Sequence, residues 1–385
     1  MYTRFMIDIR GRIPALDSLR GVAAVVVVLT HLFLILPESL RDQLWWVHRT
    51  PLRMLVNGHA SVLLFFVLSG FVLALPYLNQ STLSYGVYLY RRFCRIYLPY
   101  FIAFLFAWGL WNLHDGSQLL PGTSEWLTKQ WPGETPDIST ILGHIFLSGT
   151  NSGISLNRVF WSLVHEMRVS IIFPLLVVLC LPRKGGAAST LGIYVAASAF
   201  AFMLEDTFAL VGNSFASSLV LTLRFVPIFM VGILLAMHIE TLYAYFMRLP
   251  TFVRYTAWLA VPATFMFPRI PVLDIAQSLG CAIIIFLILS SPTARKWLEA
   301  KPCYWLGRIS YSLYLVHTPI ILFSFNKLYP ILGMWPCMVI ATLASFIAAE
   351  IFYRTVEYPS HKLGRRFFAP KMVHPSKQRV RPAIT

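Results

Sequence analysis

Runs of about 18 or more apolar residues recur along the whole chain, and no other feature restricts its fold as strongly. Lipid offers no partner for an unpaired backbone group, so segments of this length cross a bilayer as helices. Segmentation places ten spans, at roughly 18–37, 58–78, 95–113, 159–182, 188–204, 216–238, 252–268, 271–291, 304–326 and 331–353. Hydrophobic residues form 57% of the chain and charged residues 12%, which excludes an ordinary soluble domain. The expected fold is an all-α integral membrane protein, a bundle of about ten transmembrane helices.

Charge sets the expected orientation. With the N-terminus inside, the cytoplasmic segments and the span ends that adjoin them carry 23 of the 32 Lys and Arg, the positive-inside pattern, so both termini are expected in the cytoplasm. The net charge of +16 is then topogenic and calls for no nucleic-acid partner. A single transmembrane domain is expected over 1–360, followed by a flexible basic cytoplasmic tail over 361–385. The first apolar segment is read as a retained span, not a signal peptide, since no small-residue cleavage site follows it. Five scattered cysteines form no CxxC or Cys/His cluster, so they read as reduced thiols and no metal is expected. The longest hydrophilic stretch, about 114–158, falls outside and contains Trp126, Trp131 and an apolar piece, Ile138 to Leu147, too short to span.

Ionisable groups inside spans are costly in lipid and mark functional pathways. Here they are His31, Glu166, Arg168, Arg224, Asp274, His317 and Glu350. Arg20 and His31 are eleven residues apart, which on an α-helix brings them within about 20° of one face and roughly 16 Å apart along the axis. His31 and His317 fall at similar depths in spans of the same direction, in the outer half of the membrane, where imidazoles suit proton transfer. Glu166 is also expected near the outer level, with an ion pair to Arg168 or Arg224 as the alternative to a direct role. Asp274 and Glu350, placed near the outer ends of their spans, are expected to make structural partners or face water. On the cytoplasmic side Arg92 and Arg95, three apart at the start of the third span, form either a topogenic anchor or a phosphate clamp.

Five motifs in order then carry a resemblance: Leu16-Asp17-x-Leu19-Arg20-Gly21 with Arg-x10-His, Phe65 to Phe71, Arg92-x-x-Arg95, Trp161-Ser162-Leu163-x-x-Glu166, and Leu306-Gly307-x-Ile309-Ser310-Tyr311-x-x-Tyr314-Leu315-x-His317-x-Pro319. Together they resemble the family-3 membrane acyltransferases, over about residue 14 to Pro359. The resemblance implies about ten spans in a bacterial inner membrane. It also implies acyl (usually acetyl) transfer from cytoplasmic acyl-coenzyme A to a hydroxyl of a surface polysaccharide or its lipid-linked precursor. Carried over, Arg20, Arg92 and Arg95 would hold coenzyme A phosphates, and His31 would be the catalytic residue, with Glu166 and His317 beside it as candidates. The 16 Å step from Arg20 to His31 is of the order of an extended pantetheine arm. His31 is favoured as general base on a sugar hydroxyl, since one direct transfer needs no second nucleophile; an acyl-histidine intermediate is the alternative.

Two departures stand out. The glutamate motif continues Glu166-Met167-Arg168, and Arg168 is expected either to neutralise Glu166 or to reshape the acceptor site. The chain ends soon after the tenth span, so acceptor recognition is expected from the spans and outer loops, with Trp126, Trp131 and Trp161 as sugar-stacking candidates or interfacial anchors. Ser69-Gly70 reads as a close helix-packing element, not a nucleophile. The competing function is a proton-coupled transporter or flippase, which buried His, Glu and Arg also fit; against it, no Gly/Pro-broken helices fall in matching positions of two halves.

Overall fold

The computed structural model describes residues 13–79, 84–114, 120–131, 135–150, 152–181, 214–266 and 273–366. Among these residues the secondary structure is helical throughout, with no strand. Eight helices are long and apolar enough to cross a membrane. They are α1 (Pro14–Ile35), α2 (Gly58–Leu78), α3 (Tyr85–Asn112), α4 (Arg158–Cys180), α5 (Phe215–Arg248), α6 (Leu273–Ser290), α7 (Lys301–Leu332) and α8 (Met334–Arg366). The chain is thus a multi-pass membrane protein.

Two of the ten expected spans need comment. The fifth, 188–204, lies outside the described residues. The seventh is not one long helix: it consists of Thr251–Thr256, a 3-10 turn at Ala257–Leu259 and Ala260–Met266. Pro262 stands in the first turn of the last piece, where its missing N–H is not needed.

The helices begin for local reasons. Pro14 opens α1 with a φ already set for helix. Asn57 caps α2 by accepting from the Ala60 N–H, and Ser214 caps α5 by accepting from that of Ser217. The closest helix pairs are α1 with α7, α2 with α5, and α7 with α8. At the α2–α5 crossing a side chain on Gly70 would strike the Phe229 carbonyl, and one on Gly232 that of Val67. This bears out the packing role read for Ser69-Gly70, since small residues let membrane helices approach closely.

Two turns widen into π-helix, at Phe93–Tyr97 in α3 and Tyr353–Glu357 in α8. Past the second, α8 continues without interruption through Tyr358–Arg366. Residues 361–366, at the start of the expected tail, are helical, and the side of this segment bearing Gly364 seats against Arg91 and Cys94 of α3. The rest of the expected tail, 367–385, lies outside the described residues. All five cysteines are free thiols, as expected.

The hydrophilic segment between α3 and α4 folds back onto the bundle. Ser124 donates its N–H to the Ile35 carbonyl at 3.0 Å and its hydroxyl to that of Leu34 at 2.5 Å, which holds the short Glu125–Thr128 helix over the end of α1. Asp137 caps Ile138–Ile145, and hydrogen bonds from Thr140 hold its carboxyl below the usual range. In that helix burial pushes the His144 imidazole down to about 4, so it stays neutral and accepts the Leu156 N–H at 3.3 Å.

Candidate functional site

A cavity of about 770 Å³ opens between α1, α2, α3, α4, α7 and α8. The motif residues Arg20, Arg92, Arg95 and Glu166 all line it, together with Ser69, Ser162, Tyr311 and Tyr314. Residues far apart in sequence, each expensive in lipid on its own, thus share one polar interior.

The arginines are not equivalent. Arg92 is buried and committed: it donates to Ser170 Oγ at 2.9 and 3.1 Å and to Glu166 Oε1 at 3.3 Å. Ser69 donates to the same carboxylate oxygen at 3.0 Å. Arg20 pairs with Asp17 at 3.3 Å, one turn earlier on α1. Arg95 lies in the first π-helical turn, and its open surface faces the cavity. It has no hydrogen-bond or ion-pair partner among the described residues. The extra residue of a π-turn rotates the next turns of the helix about its axis, which separates the committed arginine from the free one.

The expected partners of Glu166 are corrected here. Its cation is Arg92, so it belongs to the arginine cluster and not to the level of the histidines. Arg168 instead donates to the carbonyls of Leu147, Ser148 and Ser218 and to the hydroxyls of Ser218 and Thr222, tying the loop before α4 to α5. It does not neutralise Glu166. Arg224 pairs with Asp274 at 2.7 Å, and His59 reaches the other Asp274 oxygen at 2.7 Å. Glu350 takes Arg308, Arg354 and the Trp305 indole, near the start of α7. Both acids are structural partners, as expected.

His31 and His317 meet. His31 Nδ1 lies 2.8 Å from His317 Nε2, and the nearly parallel rings meet edge to edge with centroids 5.1 Å apart. His317 is fully buried, and its Nδ1 is 2.9 Å from the Leu313 carbonyl, a contact only an N–H can make. A neutral His317 therefore presents a bare Nε2, which accepts from His31 Nδ1 at 2.8 Å with the Thr318 hydroxyl also near it at 3.1 Å. His31 Nε2 is left with its lone pair, so the network selects the tautomer of a base. Both His317 nitrogens are thus engaged, Nδ1 with the Leu313 carbonyl and Nε2 with His31 Nδ1 and the Thr318 hydroxyl.

The Trp126 ring lies nearly parallel to that of His31, with centroids 5.4 Å apart. Of the other two sugar-stacking candidates, Trp161 packs on Phe66, Phe225 and His165, and the Trp131 indole donates to the Leu156 carbonyl.

His31 and His317 do not line the cavity; Tyr314 joins the two sites. It lines the cavity, donates to the Val159 carbonyl at 2.9 Å, accepts from Ser162 at 2.6 Å, and holds its ring 6.1 Å from that of His317.

Further lining residues were given no role from sequence. Glu357, in the second π-turn, accepts from the Ser312 N–H at 3.1 Å and its hydroxyl at 2.5 Å. Tyr311 donates to the Ile96 carbonyl at 2.9 Å. Lys362, Arg365 and Arg366 complete the cavity from the end of α8. Among the described residues no group of three or more His, Cys, Asp or Glu could hold a metal ion.

Comparison with known proteins bears on this geometry. The pattern of an acyltransferase domain, that of the family-3 acyltransferases, matches residues 13–354. O-acetyltransferase OatA of Staphylococcus aureus is 42% identical over 89 residues, 23% of this chain and 14% of that protein. Acyltransferase MdmB of Streptomyces mycarofaciens is 31% identical over 164 residues, 43% of this chain and 39% of that protein. The chain thus matches well under half the length of either relative. No solved structure matches.

Proposed function

The chain belongs to the family-3 acyltransferases, and from that premise we propose that it is a membrane O-acyltransferase. In this reading it moves an acyl group, acetyl in the first instance, from acyl-coenzyme A to a carbohydrate hydroxyl of a surface polysaccharide or its lipid-linked precursor. The observation that carries the donor assignment is the cavity itself: free cations at one end, and at the other a tyrosine touching an oriented imidazole pair. The printed name of the OatA relative supports an oxygen acceptor and an acetyl group. The carbohydrate class rests on the motif resemblance. The arginine end is assigned to the cytoplasm, in a bacterial inner membrane, because acyl-coenzyme A is a cytoplasmic metabolite.

Phosphates of the donor would lie against Arg95 and Arg20, with Arg92 bracing the wall through Glu166. A planar guanidinium suits bidentate phosphate contacts. The pantetheine arm would run along α1 towards Tyr314. His31 Nε2 would take the proton of the acceptor hydroxyl as its oxygen attacks the thioester carbonyl carbon. The C–O bond forms, the C–S bond breaks, and the proton passes from His31 to the departing thiolate. His317 and Trp126, packed against His31, would shield the reacting centre in part from water.

The test is acetyl-coenzyme A binding to the full chain in detergent. Wild type is expected to bind saturably. Arg95→Ala is expected to weaken binding by roughly tenfold or more, the size of a lost charge-assisted contact, without loss of folded protein. Arg92→Ala is expected to weaken binding and stability together, because it strips Glu166 of its counter-charge. A folded wild-type protein that binds no acyl-coenzyme A would overturn the donor assignment and favour transport.

A further inference from the structure

The last turns of α8 carry cations that the acyltransferase motifs do not include. In Tyr358–Arg366, positions Tyr358, His361, Lys362 and Arg365 follow the i, i+3, i+4, i+7 spacing of one helix face, and all four line the cavity. Ser360 and Gly364, buried on the opposite side, hold the segment against α3, where a side chain on Gly364 would come within 3.0 Å of Cys94 Cβ. The segment is therefore seated, and its basic face is presented to the cavity by packing.

We propose that this face is a recognition site for the 3′-phosphorylated adenosine end of the donor; the inference rests on the coenzyme A reading above. Three observations favour it. Lys362, Arg365 and Arg366 are exposed and have no hydrogen-bond or ion-pair partner among the described residues, in contrast to Arg20, Arg92 and Arg308, which are paired. The cavity's cations range from buried Arg92 and half-buried Arg20 to exposed Arg95, Lys362, Arg365 and Arg366, more than one phosphate group needs. Coenzyme A likewise spreads its anionic groups, with pyrophosphate in the middle of the molecule and a phosphomonoester on the ribose at the end away from the thioester. Tyr358, about half exposed on the same face, adds an aromatic surface beside the cations, which suits a purine and which a lipid headgroup does not use.

The same cations would also meet the phosphate of an anionic lipid, so the test separates these sources. Acetyl-coenzyme A and its 3′-dephospho analogue are titrated into the full chain in neutral phosphatidylcholine nanodiscs. Wild type is expected to prefer the phosphorylated donor by at least tenfold. The double variant Arg365→Ala/Arg366→Ala is expected to bind both donors equally, at about the wild-type affinity for the dephospho form. Arg365→Lys/Arg366→Lys is expected to keep part of the preference, which a merely misfolded segment would not. A double variant that retains the full preference overturns the proposal. So does a wild type that binds both donors alike, or one whose preference appears only when phosphatidylglycerol is absent, since lipid would then be the resident ligand. Binding of neither donor by folded wild type would instead remove the coenzyme A reading itself.

Discussion

Replacing His31 by alanine is expected to lower acyl transfer by at least 10²-fold, the usual contribution of a positioned general base, while acetyl-coenzyme A still binds. The separation of the two effects comes from the geometry. The free cations lie in the cavity, whereas His31 stands beyond Tyr314, held by His317 and Trp126. His317 offers the sharper variant. His317→Leu removes the acceptor that fixes the His31 tautomer and is expected to lower kcat by 10–100-fold, a typical cost for losing the partner that orients a functional histidine, with KM for the donor little changed. His317→Gln keeps a side-chain oxygen able to accept from Nδ1 and is expected to recover part of that loss. Steady-state transfer to an acceptor sugar, with donor binding measured alongside, checks the series. Full activity in His31→Ala would sink the assignment of His31 as base, and equal kcat for the two His317 variants would sink the tautomer argument.

The placement of the histidine pair is legible in sequence, because depth in a membrane helix is nearly a count of residues. Spans of the same direction put His31 and His317 at one level, and they meet at 2.8 Å. The two cationic motifs, separate on α1 and α3, do line one cavity. Counting fails elsewhere. A π-turn looks like any helical turn in sequence, so the divergence of Arg92 from Arg95 and the inward turn of Glu357 leave no trace there. Glu166 escapes for a related reason. The end of α4 is soft by about a turn, and a long arginine can reach along the bundle to meet a carboxylate. Arg168 is close to Glu166 in sequence, yet residues two apart on a helix do not face each other, and it serves a different wall. The signal that could have exposed the end of α8 is a basic face at helical spacing after the final span, which reads equally well as a topogenic tail.

The crossing of α1 and α7 makes the strongest structural prediction. A side chain on Gly21 would strike the Gly307 backbone, and one on Gly307 would lie 2.6 Å from the Asp17 carbonyl carbon. Two backbones therefore touch where Asp17 and Arg20 begin the cavity wall. Each histidine stands ten residues beyond its glycine, His31 after Gly21 and His317 after Gly307, and the two helices climb together so that equal counts end at equal height. The glycine contact is thus the fixed point from which the imidazole pair is measured. Gly307→Ala must push the helices apart by about 1 Å to restore ordinary carbon contact distances. A 2.8 Å hydrogen bond tolerates little of that displacement. Gly307→Ala is expected to cost roughly 1–3 kcal/mol of stability, read as a lower unfolding temperature in detergent, and to reduce transfer far more than donor binding. Gly307→Val is expected to yield little folded protein. A Gly307→Ala enzyme with unchanged unfolding temperature and unchanged turnover would mean that the helices have room to spare, and that the histidine register is set elsewhere.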